Sequence, residues 1–304
     1  MLMGLTGLGV AVAGLAAAAA SFDIELPKEP LPAEETAAQE LRHYLERTVE
    51  GRFSVDGCSP VRFWIGDSPV AREAGILVTN LEDEAWRIRS SGGDVVLAGG
   101  GRRGTLYATY HFIEDVLGVC WWSAREEDVP AAAARDLPKL DLSGKPYFLQ
   151  RDMNLGSGWN REGASRWAAR NRLNRFGDDY KIGAPYGGML NFGGPHFVHT
   201  FALYIPKAKY FELHPDWFSL NTEGKRVGEP LKSQLCLTNE EMRKAFLAEV
   251  KAAVERDEAS ARQAGVPPPQ IYDISCNDCR EPCQCAACQA VAKAEESESG
   301  PLLQ

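Results

Sequence analysis

The chain has no basic tract: across 304 residues, 33 lysines and arginines stand against 42 aspartates and glutamates, a formal net charge of −9 at pH 7. Without a positive stripe, polyanionic partners lose their main attraction, so neither nucleic acid nor an anionic membrane surface is an expected partner. No apolar run beyond the first twenty residues is long enough to cross a bilayer. No internal repeat is visible, which sets solenoid and propeller arrays aside. The leader lacks something as well: MLMGLTGLGVAVAGLAAAAA carries no charge, and no Lys or Arg precedes Lys28.

What that leader does have is a crowd of small residues at its end, as before a signal-peptidase cut, so residues 1–21 read as a signal peptide. The expected location is secreted, periplasmic or cell-surface. The absent basic n-region either places the true start upstream or favours the rival reading, a retained anchor, for which this Gly/Ala-rich run is only marginally long enough. With 44% hydrophobic and 25% charged residues, the chain is neither disordered nor fibrous, and it is long enough for two domains with real cores.

Eight cysteines in an exported chain favour disulfides; the same residues in the cytosol would favour a metal or free thiols. Cys58 and Cys120 lie far upstream, leaving Cys236, Cys276, Cys279, Cys283, Cys285 and Cys288 as an even group whose pairing the sequence cannot choose. Cys283-x-Cys285-x-x-Cys288, with Cys279 just before it, also has spacing that would let thiolates wrap a tetrahedral zinc ion. Disulfide is the leading reading of Cys276, Cys279, Cys283, Cys285 and Cys288, structural zinc the second, free thiols the third. No other cofactor is expected.

Pro32 with Glu34 and Glu35 opens a helix whose apolar stripe is Leu41, Leu45 and Val49. Val61 to Ile65 reads as a strand, and Glu84 to Arg89 pairs with Asp94 to Ala98 around Ser91-Gly92-Gly93. Arg103 to Leu117 places Leu106, Tyr110, Ile113 and Leu117 on one helical face, and Gly118 stops it. These elements form a small α/β domain over residues 22–130. The segment 131–146, with two prolines, a glycine and no periodicity, is the expected linker. Residues 147–304 then alternate: strand (Tyr147 to Met153), helix (Arg161 to Leu173), short strand (Asn174 to Phe176), a long irregular insert, strand (Ser233 to Leu237), helix (Glu240 to Gln263) and strand (Gln270 to Ser275). Such alternation predicts a parallel sheet, and Thr238 to Glu241 has the spacing of a capping box.

Candidate chemistry gathers at strand ends. Arg151 closes the first strand of this second part, and Asn277-Asp278 lies just past the last; at the mouth of a parallel barrel such positions face substrate, though a structural ion pair is the plainer alternative. His196 and His199, in Gly193-Gly-Pro-His-Phe-Val-His-Thr200, sit in the long insert, where function and ordinary hydrogen bonding compete. Gly99-Gly100-Gly101-Arg102-Arg103-Gly104 matches a dinucleotide fingerprint literally, but its strand belongs to a hairpin and not to a βαβ unit, so a tight glycine turn is expected. Trp121, Trp122, Trp159, Trp167 and Trp217 are candidates for sugar stacking or, more simply, core.

Glu84-Ala-Trp-Arg-Ile, Asp94-Val-Val-Leu-Ala and Gly101-Arg-Arg-Gly-Thr-Leu-Tyr-Ala-Thr-Tyr-His-Phe together resemble the accessory α/β domain that precedes the barrel in β-hexosaminidases (glycoside hydrolase family 20) and α-glucuronidases. From Arg151 onward, HTF at 199 to 201, HPDWFSL at 214 to 220, QLCLTN at 234 to 239, SCNDC and CQCAAC at 275 to 288 resemble the domain of unknown function 4838 family. The resemblance implies an α/β protein: an accessory domain followed by the first half of a glycosidase-like (β/α)8 barrel that continues beyond Gln304. It also implies roles. Arg151 is similar to the first-strand arginine that holds sugar hydroxyls, and Asn174 stands where polar substrate contacts follow the first barrel helix. Asn277-Asp278 stands where hexosaminidases carry Asp-Glu, which makes Asp278 the candidate general acid but argues against acetamide-assisted hydrolysis.

The expected function is thus that of a glycoside hydrolase acting on polysaccharide-derived sugars of the hexosaminide or uronide class. Asp278 would be catalytic, with Arg151, Asn174, His199 and Asn277 binding substrate; the alternative is a non-catalytic glycan-binding protein on a degenerate barrel. Glycosidic cleavage normally needs a second carboxylate, expected on a later strand, and an acid whose surroundings raise its pKa. A carbohydrate is the expected partner, without nucleic acid, and without membrane once the leader is removed.

Overall fold

A computed structural model of the chain describes residues 21–153, 163–175 and 182–303. The leader, Trp159 and Phe176 lie outside the described residues. The chain divides into two compact units, residues 1–189 and 190–304. Both mix helices with strands, as the α/β expectation requires.

In the first unit the elements are, in chain order, β1 (Phe22–Glu25), α1 (Pro32–Thr48), β2 (Val49–Val55), β3 (Val61–Ile65), α2 (Pro69–Glu73), β4 (Trp86–Ser91), β5 (Asp94–Gly99), α3 (Gly104–His111), β6 (Cys120–Trp121), β7 (Glu127–Asp128), β8 (Ala133–Leu137), β9 (Asp141–Gly144) and α4 (Ala164–Arg170). A five-stranded sheet runs in the order β1-β3-β5-β4-β9; β1, β3 and β5 are parallel, and β4 is antiparallel to β5 and β9. Helix α1 starts where its proline and acids predict, with Glu34 Oε2 accepting from the Leu31 N–H at 2.9 Å. Leu41, Leu45, Leu106 and Tyr110 bury the stripes of α1 and α3, and Ile113, in the π-helical turn Phe112–Val116 after α3, joins them against Phe53, Phe63, Ile65 and Ile88 in one core. Each buried Leu or Ile there contributes about 1.5–3 kcal/mol.

The glycine-rich turn has a packing explanation. A Cβ on Gly99 would lie 2.1 Å from the backbone of Gly104, so the end of β5 and the start of α3 touch where no side chain fits. Residues 131–146, expected as a linker, instead contribute β8, which pairs parallel with β2, and β9, which pairs with β4. Their residues are mostly exposed, so backbone ladders hold them and no apolar pattern announced them.

Tyr147 to Met153 is not a strand. Side chains take the carbonyls a neighbouring strand would have used: Arg151 Nη1 donates to Phe148 O at 2.6 Å, and Asn174 Nδ2 to Leu149 O at 2.7 Å. Nor do Asn174 and Arg175 form one; both backbone N–H groups turn back to Arg151 O.

The second unit contains β10 (Phe192–Gly193), α5 (Phe201–Tyr204), α6 (Lys207–Tyr210), α7 (Glu240–Ala264), β11 (Ile271–Tyr272), α8 (Ala286–Ala294) and α9 (Gly300–Leu303). Strands β10 and β11 are parallel, Phe192 opposite Ile271. Phe201, Ile205, Trp217, Phe218, Leu235 and Met242 form its main apolar cluster. Among the described residues no closed barrel is formed. The strand expected at Ser233 to Leu237 shrinks to a single bridge between Leu235 and Phe218, and that at Gln270 to Ser275 shrinks to β11. Helix α7 matches its expected span, but Asn239 caps it, its side chain accepting from Met242 N. Thr238, expected as the cap, instead has its hydroxyl 3.2 Å from Cys288 Sγ. No described helix is long and apolar enough to cross a membrane.

Candidate functional site

Asn277 and Asp278 occupy a turn that the second unit holds on every side except one. The Asn277 amide is buried: Oδ1 accepts from Ala202 N at 3.0 Å and Nδ2 donates to Ser233 O at 2.8 Å. Gln234, also buried, receives the Asn277 N–H on Oε1 at 2.9 Å and donates Nε2 to both Asn277 O and Cys279 O at 2.9 Å. Cys279 N closes the turn onto Asn277 O at 2.8 Å. Asp278 stands at the apex, exposed, and among the described residues no hydrogen bond or ion pair engages its carboxylate. Hydrogen bonds pin the turn on both sides of Asp278; the acid is presented to solvent.

His199 lies alongside. Its backbone N–H donates to Ser275 Oγ at 2.8 Å and its Nδ1 to Cys276 O at 3.0 Å, which leaves Nε2 as the available acceptor. Its φ of +56° is a left-handed conformation that a β-substituted residue adopts only when its neighbours hold it there. Thr200 continues the contact, its hydroxyl reaching Asp273 O and accepting from Ser275 N. The structure thus brings together His199, Cys276 and Asn277, three of the residues expected at the site, and tethers them through Ser275 and Ala202.

The cysteines arrange themselves otherwise than expected. All eight are unbonded, so the disulfide reading is corrected: Cys236–Cys285 at 3.7 Å and Cys236–Cys288 at 3.9 Å are nearly twice a bond apart. Cys236, Cys283, Cys285 and Cys288 gather with their sulfurs all within 4.8 Å of one another. Cys276 and Cys279 stay outside, Cys279 Sγ accepting from Gln234 Nε2 at 3.1 Å. Several donors point at the sulfurs: Leu220 N at Cys283 (3.3 Å), Cys288 N at Cys285 (3.5 Å) and Arg226 Nη1 at Cys283 (3.8 Å). Crowding splits the thiols in acidity. Hydrogen bonds from Cys283 and Cys288 hold Cys236 far below the usual thiol range, while Cys236 and Cys283 push Cys288 far above it. This is the donor set among the described residues best suited to a soft, tetrahedral metal ion.

A cleft of about 540 Å³ opens beside the cysteines, lined among others by Gln234, Leu235, Cys279, Arg280, Gln284 and Gln289; Asp278 does not line it. Gln234 and Arg226 were not among the expected site residues, Thr238 was expected only as a helix cap, and Cys236 stood outside the expected site. The even count of six downstream cysteines was the one signal that could have recruited Cys236.

Arg151 and Asn174 come together in the first unit around Glu84. Arg151 Nη2 lies 2.8 Å from Glu84 Oε2 and 3.0 Å from the Tyr107 hydroxyl, while Arg103 Nε reaches Glu84 Oε1 at 2.6 Å. Asn174, fully buried, donates to Glu84 Oε1 at 3.1 Å and accepts from Arg151 N at 3.0 Å. Burial and then the Glu84 charge push the Tyr107 hydroxyl up to about 12. Of the tryptophans, Trp121, Trp167 and Trp217 are core and Trp122 is exposed.

No curated protein matches the chain. A family model does, over residues 121–304, more than half of the chain and including His199, Asn277, Asp278 and the entire cysteine cluster. The chain therefore belongs to the family described as Domain of unknown function (DUF4838).

Proposed function

We propose that the chain is a carbohydrate-active protein of glycosidase type, exported to the periplasm, cell surface or medium. In this reading an accessory α/β domain precedes the first part of a (β/α)8 barrel, and Asp278 is the general acid. The observation that carries it is the clamped Asn277–Cys279 turn: Gln234 fixes both of its carbonyls while the Asp278 carboxylate points outward, unengaged. A proton donor needs such a fixed mount, because catalysis depends on holding reacting groups to within fractions of an ångström. The parallel β10–β11 pair and the resemblance of residues 84–112 to glycosidase accessory domains support the same reading. Within the second unit, His199 and Asn277 would then position substrate or the residues that touch it, while Arg151 and Asn174 are proposed to bind substrate in the first.

The test is turnover by the full-length protein on a panel of β-linked hexosaminides and uronides. Asp278→Asn should lower kcat about 10²- to 10⁴-fold, the contribution of a general acid, with little change in KM. Wild-type turnover by that variant removes the assignment.

A second reading, non-catalytic glycan binding, is favoured by the exposure of Asp278 and by the full use of Asn277 in internal hydrogen bonds. Oligosaccharide binding seen by calorimetry, without hydrolysis on long incubation, would select it.

A further inference from the structure

We infer that Cys236, Cys283, Cys285 and Cys288 form a tetrathiolate site for one Zn²⁺ ion, and that Arg226 offsets part of its negative charge. This stands apart from the carbohydrate reading and does not depend on it.

Geometry decides first between a metal and disulfides. Four sulfurs at the corners of a tetrahedron, each about 2.3 Å from a central zinc, lie about 3.8 Å from one another. The separations of 3.7 Å for Cys236–Cys285 and 3.9 Å for Cys236–Cys288 match that edge. A disulfide needs about 2.05 Å, and two disulfides would draw the sulfurs into close pairs instead of one compact group.

Hydrogen-bond direction decides next between thiols and thiolates. A thiol is a weak acceptor; a thiolate is a strong one. The backbone N–H groups of Leu220 and Cys288 both aim at sulfur, and so does the Arg226 guanidinium. Cys285 opens helix α8 with its sulfur accepting from the third residue along, so the first turn of the helix also presents its positive end to the cluster. Four thiolates around Zn²⁺ carry a net charge of −2, and a partly buried arginine beside them is the compensation such a charge needs. On binding, each thiol still protonated gives up its proton to solvent, and each sulfur donates a lone pair to zinc with no change of oxidation state.

Ligand chemistry selects the metal. Mg²⁺ and Ca²⁺ require oxygen donors, and Cu²⁺ prefers square-planar nitrogen and oxygen sets; a closed tetrahedral S₄ set suits zinc, with iron and Cu⁺ the competitors. All four positions come from protein, so the site is structural and leaves no place for a reacting water. Its ligands join the segment before α7, through Cys236, to the loop that follows Asp278, through Cys283.

The test is elemental analysis of the full-length protein, purified without chelator or a histidine tag. One zinc per chain should survive desalting, and denaturation with chelator should release it along with eight titratable thiols. Cys236→Ser and Cys285→Ser should lose the metal, whereas Cys276→Ser and Cys279→Ser should keep it. Should the ligand variants misfold, cobalt substituted into the wild-type protein gives an independent readout: intense visible bands of tetrahedral Co²⁺ with sulfur-to-cobalt charge transfer. Missing thiols without metal, eight thiols that refuse added zinc, iron in place of zinc, or loss of metal in the Cys276 and Cys279 variants would each overturn the assignment.

Discussion

Gln234 and Asn277 hold each other as two strands would: the Asn277 N–H donates to Gln234 Oε1 at 2.9 Å, and Gln234 Nε2 donates to the Asn277 carbonyl at 2.9 Å. A side-chain amide thus completes a rung that the backbone does not. Gln234→Leu keeps the volume but strands the buried Asn277 N–H, while Asn277 O keeps its bond from Cys279 N; the unpaired donor should cost about 1–3 kcal/mol. A lowered urea midpoint with an unchanged slope would show this; Gln234→Glu should be no better, because its carboxylate would face the Asn277 carbonyl.

Glu84 sits between two guanidinium groups, Arg103 at 2.6 Å and Arg151 at 2.8 Å, with its side chain only 6% exposed. Glu84→Gln leaves two cations sharing a buried site, with only the half-exposed Asp83 carboxylate, 3.9 Å from Arg103, as a nearby anion. The expected destabilisation is about 3–5 kcal/mol, the usual result of breaking a buried pair from one side. Urea unfolding of the single variant and of Glu84→Gln with Arg103→Met measures it, and the double variant should recover part of the loss.

His111 stacks on Trp86 at 4.1 Å between ring centroids, with Asp115, Glu114 and Arg172 facing its ring. Burial first, and the Arg172 charge second, hold its pKa below the ordinary 6.5 despite the neighbouring carboxylates. The unfolded chain therefore binds more protons between the two values, so stability rises with pH through that window. His111 contributes its stability above pH 6.5 and loses it as pH falls toward the folded value. His111→Phe, which keeps the stacking, should flatten the difference between melting temperatures recorded on either side of pH 6.5.

The parts of the fold that were legible in the sequence are those where burial has a period. Leu41 and Leu45 in α1, Leu106 and Tyr110 in α3 and Ile113 in the π-helical turn Phe112–Val116 that follows it repeat on one face and are all buried. Gly92 and Gly93, both at positive φ, turn the β4–β5 hairpin as expected. Strands β8 and β9 were not legible, since polar residues such as Arg135, Asp136 and Asp141 serve ladders whose partners lie far away in sequence. Glu84 escaped for the same reason: nothing local shows that Arg103, Arg151 and Asn174 converge on it. The cysteine-rich loop was recognised for its density, but Cys236 completes the group from 49 residues before Cys285, and only folding discloses that.

Bridging Cys236 to Cys283 through zinc would turn the chain between them into a ring. Inside that ring lies α7, 25 residues long and spanning about 37 Å at 1.5 Å per residue. A ring tolerates one cut. A backbone nick in the exposed turn after Gly265, where Val266 is followed by three prolines, would leave both fragments tied together at the metal until a chelator parted them. The same knot would shrink the disorder open to the unfolded chain, as a cross-link over that length does, without any oxidised bond.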